Sequence, residues 1–164
     1  VAVIGGGDAA CEEASFLTRF AAKVYLVHRR DKFRAAEIMV RRVSENPKIE
    51  LVLSSVPEEM LADENGRARA LRVRNVATGE TRDLDVQGIF VAIGHAPNTA
   101  FLAGALPLEA DGTISALRDA SGVRTEVPGV CVAGDCADRL YRQAVIAAGT
   151  GARAALEAQR FLEA

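Results

Sequence analysis

The chain has 164 residues, of which 49% are hydrophobic and 26% are charged, a composition typical of a globular protein and not of a disordered one. Its formal net charge of −2 gives no reason to expect nucleic acid or an anionic membrane as a partner. No apolar stretch has the length of a membrane span or the layout of a signal peptide, so we expect a cytoplasmic protein without a membrane partner.

The first thirty residues predict a strand, a glycine turn, a helix and a second strand. The turn follows the G-x-G-x-x-A pattern of dinucleotide-binding βαβ units, with Gly5, Gly7 and Ala10 at its three positions. In that pattern Gly5 permits the tight turn, Gly7 lets a pyrophosphate approach the backbone, and Ala10 allows the helix to pack closely on the strand. The alternative is that these glycines serve only a sharp turn in an ordinary α/β protein.

The second strand ends in a cluster of basic residues, within the segment KVYLVHRRDKFRA. An acidic residue at this position would hydrogen-bond the ribose 2′-hydroxyl of NAD, whereas guanidinium groups match a 2′-phosphate in charge and geometry. The sequence therefore predicts NADPH as the dinucleotide, with the 2′-phosphate held by His28, Arg29, Arg30 and Arg34. A solvated basic turn without a ligand is the alternative.

The middle of the chain continues the α/β pattern and then changes to an antiparallel one. A helix starting near Lys32 is followed by a strand in IELVLSS, and Asn65-Gly66 and Thr78-Gly79 separate the strands of a three-stranded meander. The apolar segment GIFVAIG then returns to the first sheet. The predicted fold class is α/β: a Rossmann-like NAD(P)-binding domain with an inserted antiparallel meander.

The segment GHAPNT, at residues 94–99, contains the glycine, proline and asparagine typical of a hinge between domains. We place one domain at residues 1–96 and a second at 97–164, with short strands in DGTI and VPGVCVAGD and a last helix broken near Gly149 and Gly151. Residues 97–164 are too few for a complete α/β domain, and the chain starts at Val1 within an apolar run. We therefore expect a fragment whose missing part lies upstream.

The three cysteines form neither a C-x-x-C pair nor a zinc-ligand spacing, so we expect no metal site. Cys11 and Cys131 lie in apolar surroundings, where a thiol usually behaves as a small buried hydrophobic group. No role is assigned to Cys136.

Five motifs in order, GGGDAACEEA, HRRDKFRA, FVAIGHAPNT, GVCVAGDCAD and YRQAVIAAGTG, resemble the low-molecular-weight bacterial thioredoxin reductases over essentially all 164 residues. The resemblance implies the second half of such an enzyme: its NADPH domain and the C-terminal part of a split FAD-binding domain of the same type. It also implies that the redox-active C-x-x-C and the first FAD glycine motif lie upstream of Val1, so no catalytic residue is expected in this chain.

The resemblance further implies residues that contact FAD. Asp135 matches the acid that hydrogen-bonds the ribityl chain of the flavin, and Arg142, Gln143 and Ala144 match the segment where the last helix begins beside the flavin ring. A helix N-terminus there would favour the negative charge that a flavin gains on reduction. The alternative is that Asp135 only caps a turn and Gln143 only starts a helix. His95 is expected to orient the hinge and not to act as an acid or base.

The activity implied by the resemblance is electron transfer from NADPH through FAD to a dithiol and on to thioredoxin, in a homodimeric protein. Three alternatives stay open from the sequence. A reductase of the same fold could serve ferredoxin or a peroxiredoxin, the chain could be an NADPH-binding module without turnover, or it could be a structural remnant.

Overall fold

The computed structural model describes residues 1–102, 104–117 and 119–164, and the chain divides into two compact units, Val1–Gly94 and His95–Ala164. The division falls inside the GHAPNT segment, two residues before the boundary predicted after residue 96.

The first unit contains two sheets and two helices. In chain order its elements are β1 (Ala2–Ile4), α1 (Asp8–Leu17), β2 (Val24–Val27), α2 (Glu37–Ser44), β3 (Ile49–Val52), β4 (Ser55–Ala62), β5 (Ala68–Asn75), β6 (Thr81–Asp85) and β7 (Ile89–Val91). β1, β2, β3 and β7 form a parallel sheet in the order β3-β2-β1-β7, while β4, β5 and β6 form an antiparallel meander. This is the strand order of a Rossmann half with a meander in place of the last crossover helix, as predicted.

Both faces of the parallel sheet are covered at its central strands β1 and β2, which is why these strands are almost wholly apolar. Successive residues of β1 point to opposite faces: Ala2 packs against the meander, and Val3 packs against α1 and α2. On the helix side Ala10 is fully buried, as is Val43 of α2. The sheet thereby fixes the carboxyl ends of β1, β2 and β7 next to one another.

The start of α2 was predicted wrongly. The helix begins at Glu37 and not near Lys32, because the residues before it fold back onto the turn after β1. The backbone N–H of Arg34 donates to the carbonyl of Gly6 at 2.7 Å, and that of Ala36 donates to Oδ1 of Asp8 at 2.7 Å. These tertiary hydrogen bonds replace the first turn of helix that the sequence pattern suggested.

The second unit contains a short 3₁₀ turn, η1 (Ala100–Leu102), and one long helix, α3 (Ala144–Glu163). The strands expected in DGTI and VPGVCVAGD are absent from the described residues, where only isolated bridges join Leu108 to Ile114 and Arg124 to Cys131. The expected break in α3 is also wrong, since the helix continues through Gly149 and Gly151. Each glycine costs about 1 kcal/mol relative to alanine, and alanine-rich neighbours offset that cost.

Much of α3 is exposed: Val145 is 79% and Leu162 is 84% accessible. Within the described ranges, no helix is both long enough and apolar enough to cross a membrane.

Candidate functional site

The turn between β1 and α1, here called the glycine loop (residues 5–7), is shaped by contacts with its own unit. A Cβ atom on Gly5 would collide with the carbonyl oxygen of Ala92 and would lie 2.7 Å from Cβ of Ala10. A Cβ atom on Gly6 would collide with the ring of His28. Both positions therefore need glycine because the fold packs tightly there.

Gly7 differs from its neighbours, since a Cβ atom there would meet no atom of the described residues within 4 Å. Its φ of −102° and ψ of −177° are extended values that any residue adopts. Gly7 is the N-cap of α1 without a side-chain cap, and the first N–H of the helix region to find a backbone acceptor is that of Cys11, bonded to the Gly7 carbonyl at 3.2 Å. Open space and unsatisfied N–H groups at a helix N-terminus suit an anion.

The segment after β2, here called the arginine loop (residues 28–36), is held against the glycine loop. Besides the bonds of Arg34 and Ala36 described above, the carbonyl of Arg30 accepts a hydrogen bond from the N–H of Ser54 at 3.0 Å. Nε2 of His28 lies 3.1 Å from the carbonyl oxygen of Lys32. The loop is thus fixed by backbone hydrogen bonds at Arg30 and Arg34 and by the His28 ring at Lys32.

His28 is buried, with 7% of its surface accessible, and its ring stacks on that of Phe33 with centroids 5.3 Å apart. Burial lowers the pKa of His28 from its ordinary value; the hydrogen bond to the Lys32 carbonyl opposes this in part, and the positive charges of Arg30, Arg29 and Arg34 each add a smaller lowering. The neutral imidazole is therefore favoured near pH 7.

Arg29, Arg30 and Arg34 are exposed, and none of them forms an ion pair with an acidic side chain anywhere in the described ranges. They lie around a cleft of about 440 Å³ at the carboxyl ends of the parallel strands. Its lining consists of Ile4, Gly5, Gly6, Val27, His28, Arg29, Arg30, Arg34, Ser55, Val56, Pro57, Val91 and Ile93. An apolar floor with three uncompensated guanidinium groups at its rim is suited to an aromatic ligand with a phosphate.

The structure thus brings five of the seven residues predicted to bind the nucleotide to one cleft: Gly5, His28, Arg29, Arg30 and Arg34. Gly7 and Ala10 do not line it; Gly7 is the next residue of the glycine loop, and Ala10 is fully buried under it. Sequence reasoning missed Gly6, Asp8 and the β4 segment that starts at Ser55. The run of three glycines signals Gly6, whereas nothing local in the sequence indicates the contacts of Asp8 or Ser55.

In the second unit, Asp135 is exposed and lies in a turn, not at the end of a strand. The residue before it, Gly134, has a φ of +79°, and its N–H donates to Oγ1 of Thr150 on α3 at 3.0 Å. Thr150, which lies in the YRQAVIAAGTG motif but was not predicted as a site residue, thereby fixes the turn that presents the Asp135 carboxylate.

Gln143 is the N-cap of α3 and Ala144 its first residue. The side chain of Gln143 does not cap the helix but donates to the carbonyl of Tyr141 at 3.0 Å. Arg142 has a left-handed φ of +48°, and its guanidinium donates to the carbonyls of Asp138 and His95 at 3.2 and 3.3 Å. Among the described residues, the N–H groups of Ala144 and Val145 have no acceptor, so they are available to a ligand.

Asp138 organises the approach to α3. Its carboxylate accepts hydrogen bonds from the backbone N–H groups of Tyr141 and Leu140, both at 2.9 Å, and from that of Arg142 at 2.7 Å. These bonds, that of Tyr141 first, lower the pKa of Asp138. The carboxylate stays ionised and holds residues 138–142 as one turn.

The three cysteines are unpaired with one another. Cys11 is buried, and burial together with the nearby Asp8 charge raises the pKa of its thiol, which makes it unreactive. Cys131 and Cys136 are half-buried, so Cys131 is less enclosed than expected. No group of three potential metal ligands occurs in the part of the chain that the structure describes.

A Rossmann-type sheet whose strand ends, glycine loop and arginines surround one cleft is the arrangement typical of dinucleotide-binding domains. The chain belongs to the family described as pyridine nucleotide-disulphide oxidoreductase, whose family profile matches residues 1–151.

The individual relatives are thioredoxin reductases, which confirms the resemblance found in the motifs. The chain is 52% identical over 162 residues to thioredoxin reductase 2 of Arabidopsis thaliana, covering 98% of this chain and 42% of that protein. It is 49% identical over 164 residues to the thioredoxin reductase of Streptomyces coelicolor, covering 100% of this chain and 50% of that protein. The chain thus spans about half the length of the curated relatives it matches.

Solved structures agree. The thioredoxin reductase from Giardia duodenalis matches with a TM-score of 0.78 and 45% identity, and that from Streptococcus pyogenes MGAS5005 with a TM-score of 0.81 and 35% identity. In both cases the match covers 99% of this chain and 52% of the other. The predicted α/β fold class is confirmed.

Proposed function

We propose that this chain is the NADPH-binding domain and the C-terminal part of the FAD-binding domain of a flavoprotein disulfide reductase that acts on thioredoxin. The observation that supports the proposal most directly is the set of three arginines without ion-pair partners in the described ranges, at the end of β2. An NAD-specific site has an acidic residue at that strand end, which would repel a 2′-phosphate.

The residues of the first unit fit NADPH. Arg29, Arg30 and Arg34 would bind the 2′-phosphate, which carries a charge of about −1.5 to −2 near pH 7. The free N–H groups at the start of α1, beside the open space at Gly7, would bind the pyrophosphate. The apolar floor of the cleft would exclude water from the adenosine.

The residues of the second unit fit FAD only in part, because they would form one wall of its site. The exposed carboxylate of Asp135 is available to accept a hydrogen bond from a ribityl hydroxyl, and Thr150 fixes the turn that presents it. The N–H groups of Ala144 and Val145 would stabilise negative charge at the start of α3, with Arg142 and Gln143 supporting the turn before it. When bound, NADPH supplies a hydride and FAD passes the electron pair to a disulfide.

The remaining parts of the proposal concern the complete protein. A redox-active C-x-x-C would be supplied by sequence upstream of Val1, and thioredoxin would be the final acceptor. We propose a homodimer in the cytoplasm; a mitochondrial location is the alternative, since the Saccharomyces cerevisiae relative is named thioredoxin reductase 2, mitochondrial.

The test compares this chain with the full-length protein that contains it. With NADPH, FAD and thioredoxin, the full-length protein should release thiols from a disulfide substrate, and this chain should release none. In a parallel titration, the full-length protein should bind adenosine 2′,5′-bisphosphate at least tenfold more tightly than 5′-AMP. Equal binding of the two nucleotides would contradict the NADPH proposal, and reductase activity in this chain would show that it contains the catalytic residues.

A further inference from the structure

His28 lies among the arginines, but its surroundings differ from theirs. The arginines are exposed, whereas the imidazole is buried, lies beside Gly6 and stacks on the Phe33 ring. A histidine that bound the 2′-phosphate as a cation would need an N–H group directed at the phosphate and a retained positive charge. His28 meets neither condition, because its Nε2–H is directed at the Lys32 carbonyl and its pKa is lowered.

The hydrogen bond of His28 decides the tautomer. The carbonyl of Lys32 can only accept, so Nε2, at 3.1 Å from it, must bear the proton. In the neutral ring Nδ1 is then an acceptor, which repels a phosphate oxygen. The neutral form is also the one favoured here, because burial and then the charges of Arg30, Arg29 and Arg34 lower the pKa of His28, and only the Lys32 carbonyl opposes them.

The ring instead connects the two loops of the cleft. Its Cε1 and Nδ1 atoms lie beside Gly6, where any side chain would collide with them, and its Nε2 holds the carbonyl of Lys32 in the middle of the arginine loop. Two residues further on, the N–H of Arg34 donates to the carbonyl of Gly6 at 2.7 Å. The imidazole therefore occupies the space between the loops and sets the distance of the arginines from the glycine loop.

We propose that His28 is a positioning residue for nucleotide selectivity: it holds the arginine loop against Gly6, and so places Arg29, Arg30 and Arg34 around the 2′-phosphate without contacting that phosphate as a cation. The inference rests on the proposed NADPH function and deepens it. It assigns His28 a different role from the arginines next to it in the HRR motif, and it makes Gly6 and Phe33 part of the selectivity determinant.

The test uses two isosteric variants in the full-length protein. His28→Gln places an amide N–H where Nε2 was, so it can still donate to Lys32, whereas His28→Asn places its amide at the position of Nδ1 and cannot reach that carbonyl. Binding of adenosine 2′,5′-bisphosphate and of 5′-AMP is measured by calorimetric titration between pH 6.5 and 8.5. A third variant, Phe33→Leu, removes the stacked ring and leaves His28 in place.

We expect His28→Asn to weaken bisphosphate binding about tenfold, equivalent to about 1.4 kcal/mol, and to change 5′-AMP binding less than twofold. His28→Gln should stay within about threefold of the wild-type protein, and Phe33→Leu should weaken bisphosphate binding selectively. Without any nucleotide, the amide of Arg34 should exchange its hydrogen faster in His28→Asn, because its bond to Gly6 opens more often. The ratio of the bisphosphate affinities of the wild-type protein and His28→Gln should not change with pH, because ionisation of the phosphate affects both proteins equally.

Three outcomes would overturn the inference, and they separate it from the proposed function. If the wild-type protein prefers the bisphosphate but both His28 variants bind like it, only the positioning role fails. If the advantage of the wild-type protein over His28→Gln grows as the pH falls to 6.5, His28 binds the phosphate as a cation. If the wild-type protein does not distinguish the bisphosphate from 5′-AMP, the NADPH proposal fails and the positioning role with it.

Discussion

Replacing all three arginines of the cleft by alanine should remove the preference for NADPH over NADH. A hydrogen bond to a charged group contributes about 1.5 to 3 kcal/mol, and the exposure of Arg29, Arg30 and Arg34 places each near the lower end of that range. Each single substitution should then raise the Kd or KM for NADPH about tenfold, and the triple substitution about 100-fold to 1000-fold. Binding of NADH, which has no 2′-phosphate, should change less than threefold.

The assay is kcat/KM for both nucleotides in the full-length protein, at low and high salt. The advantage of the wild-type protein should shrink as salt is added, because exposed charges are screened over about 10 Å at 0.1 M. Arg42→Ala is the matched control: Arg42 is an exposed arginine of α2 that does not line the cleft. Equal losses for NADPH and NADH in the triple variant would refute the reasoning and show that the arginines support the fold.

Three further predictions follow from single positions. Gly7→Ser should leave the free energy of unfolding unchanged within about 0.5 kcal/mol but weaken dinucleotide binding about tenfold. Gly5→Ala should lower the free energy of unfolding by about 1 to 3 kcal/mol, because its Cβ atom would clash with the Ala92 carbonyl. Chemical denaturation and nucleotide titration would show the contrast, and a Gly5→Ala variant as stable as the wild-type protein would contradict it. Gly94→Val, at a φ of +88° where an added Cβ atom would meet nothing within 4 Å, should slow turnover of the full-length protein with little change in FAD content if the link between the two units is a hinge, and unchanged turnover would exclude that role. Hydrogen bonds from Ser121 and Gly122, and then from Arg124, lower the pKa of Asp119 to about 2. The contribution of the Asp119 carboxylate to stability is therefore present above its ordinary pKa of 3.8 and is lost as the pH falls through about 2. Asp119→Asn should flatten the dependence of Tm on pH in that window, and an unchanged slope would contradict the assignment.

The first unit could be predicted from sequence because its signals are local. The βαβ pattern fixes β1, α1 and β2, and the dipeptides Asn65-Gly66 and Thr78-Gly79 mark the two turns of the meander, where both glycines have positive φ. Burial of β1 and β2 on both faces of the sheet explains why these strands are apolar. The start of α2 could not be predicted, because the N–H groups of Arg34 and Ala36, just before the helix, donate to Gly6 and Asp8, which are distant in the sequence.

The second unit was predicted less well, for a physical reason. A strand is stable when neighbours satisfy its backbone groups, and the described residues of 95–164 provide only two isolated bridges. The segments that look like strands therefore stay irregular. Helix α3 needs no such partners for its backbone, which is why its existence was predicted although its continuity through Gly149 and Gly151 was not.

At the cleft, the charged and glycine residues were predicted from the motif, but their relation to one another was not. A motif describes which residues occur at which spacing, and it assigns all of them to the ligand. The three glycines show why this assignment is too simple. The Gly5 position is restricted by the Ala92 carbonyl and the Gly6 position by the His28 ring, whereas no described residue lies close enough to Gly7 to require a glycine there.

A ligand-binding role is therefore tested cleanly at Gly7 and not at the other two positions. Any substitution at Gly5 or Gly6 changes packing inside the unit before a nucleotide arrives, so a loss of binding there would mix two causes. The same distinction separates the arginines, whose exposed side chains make no ion pair in the described ranges, from His28, whose ring lies beside Gly6 and stacks on Phe33. The absence of a structural reason for a residue type, together with open space beside it, is the stronger indication that the residue serves a ligand.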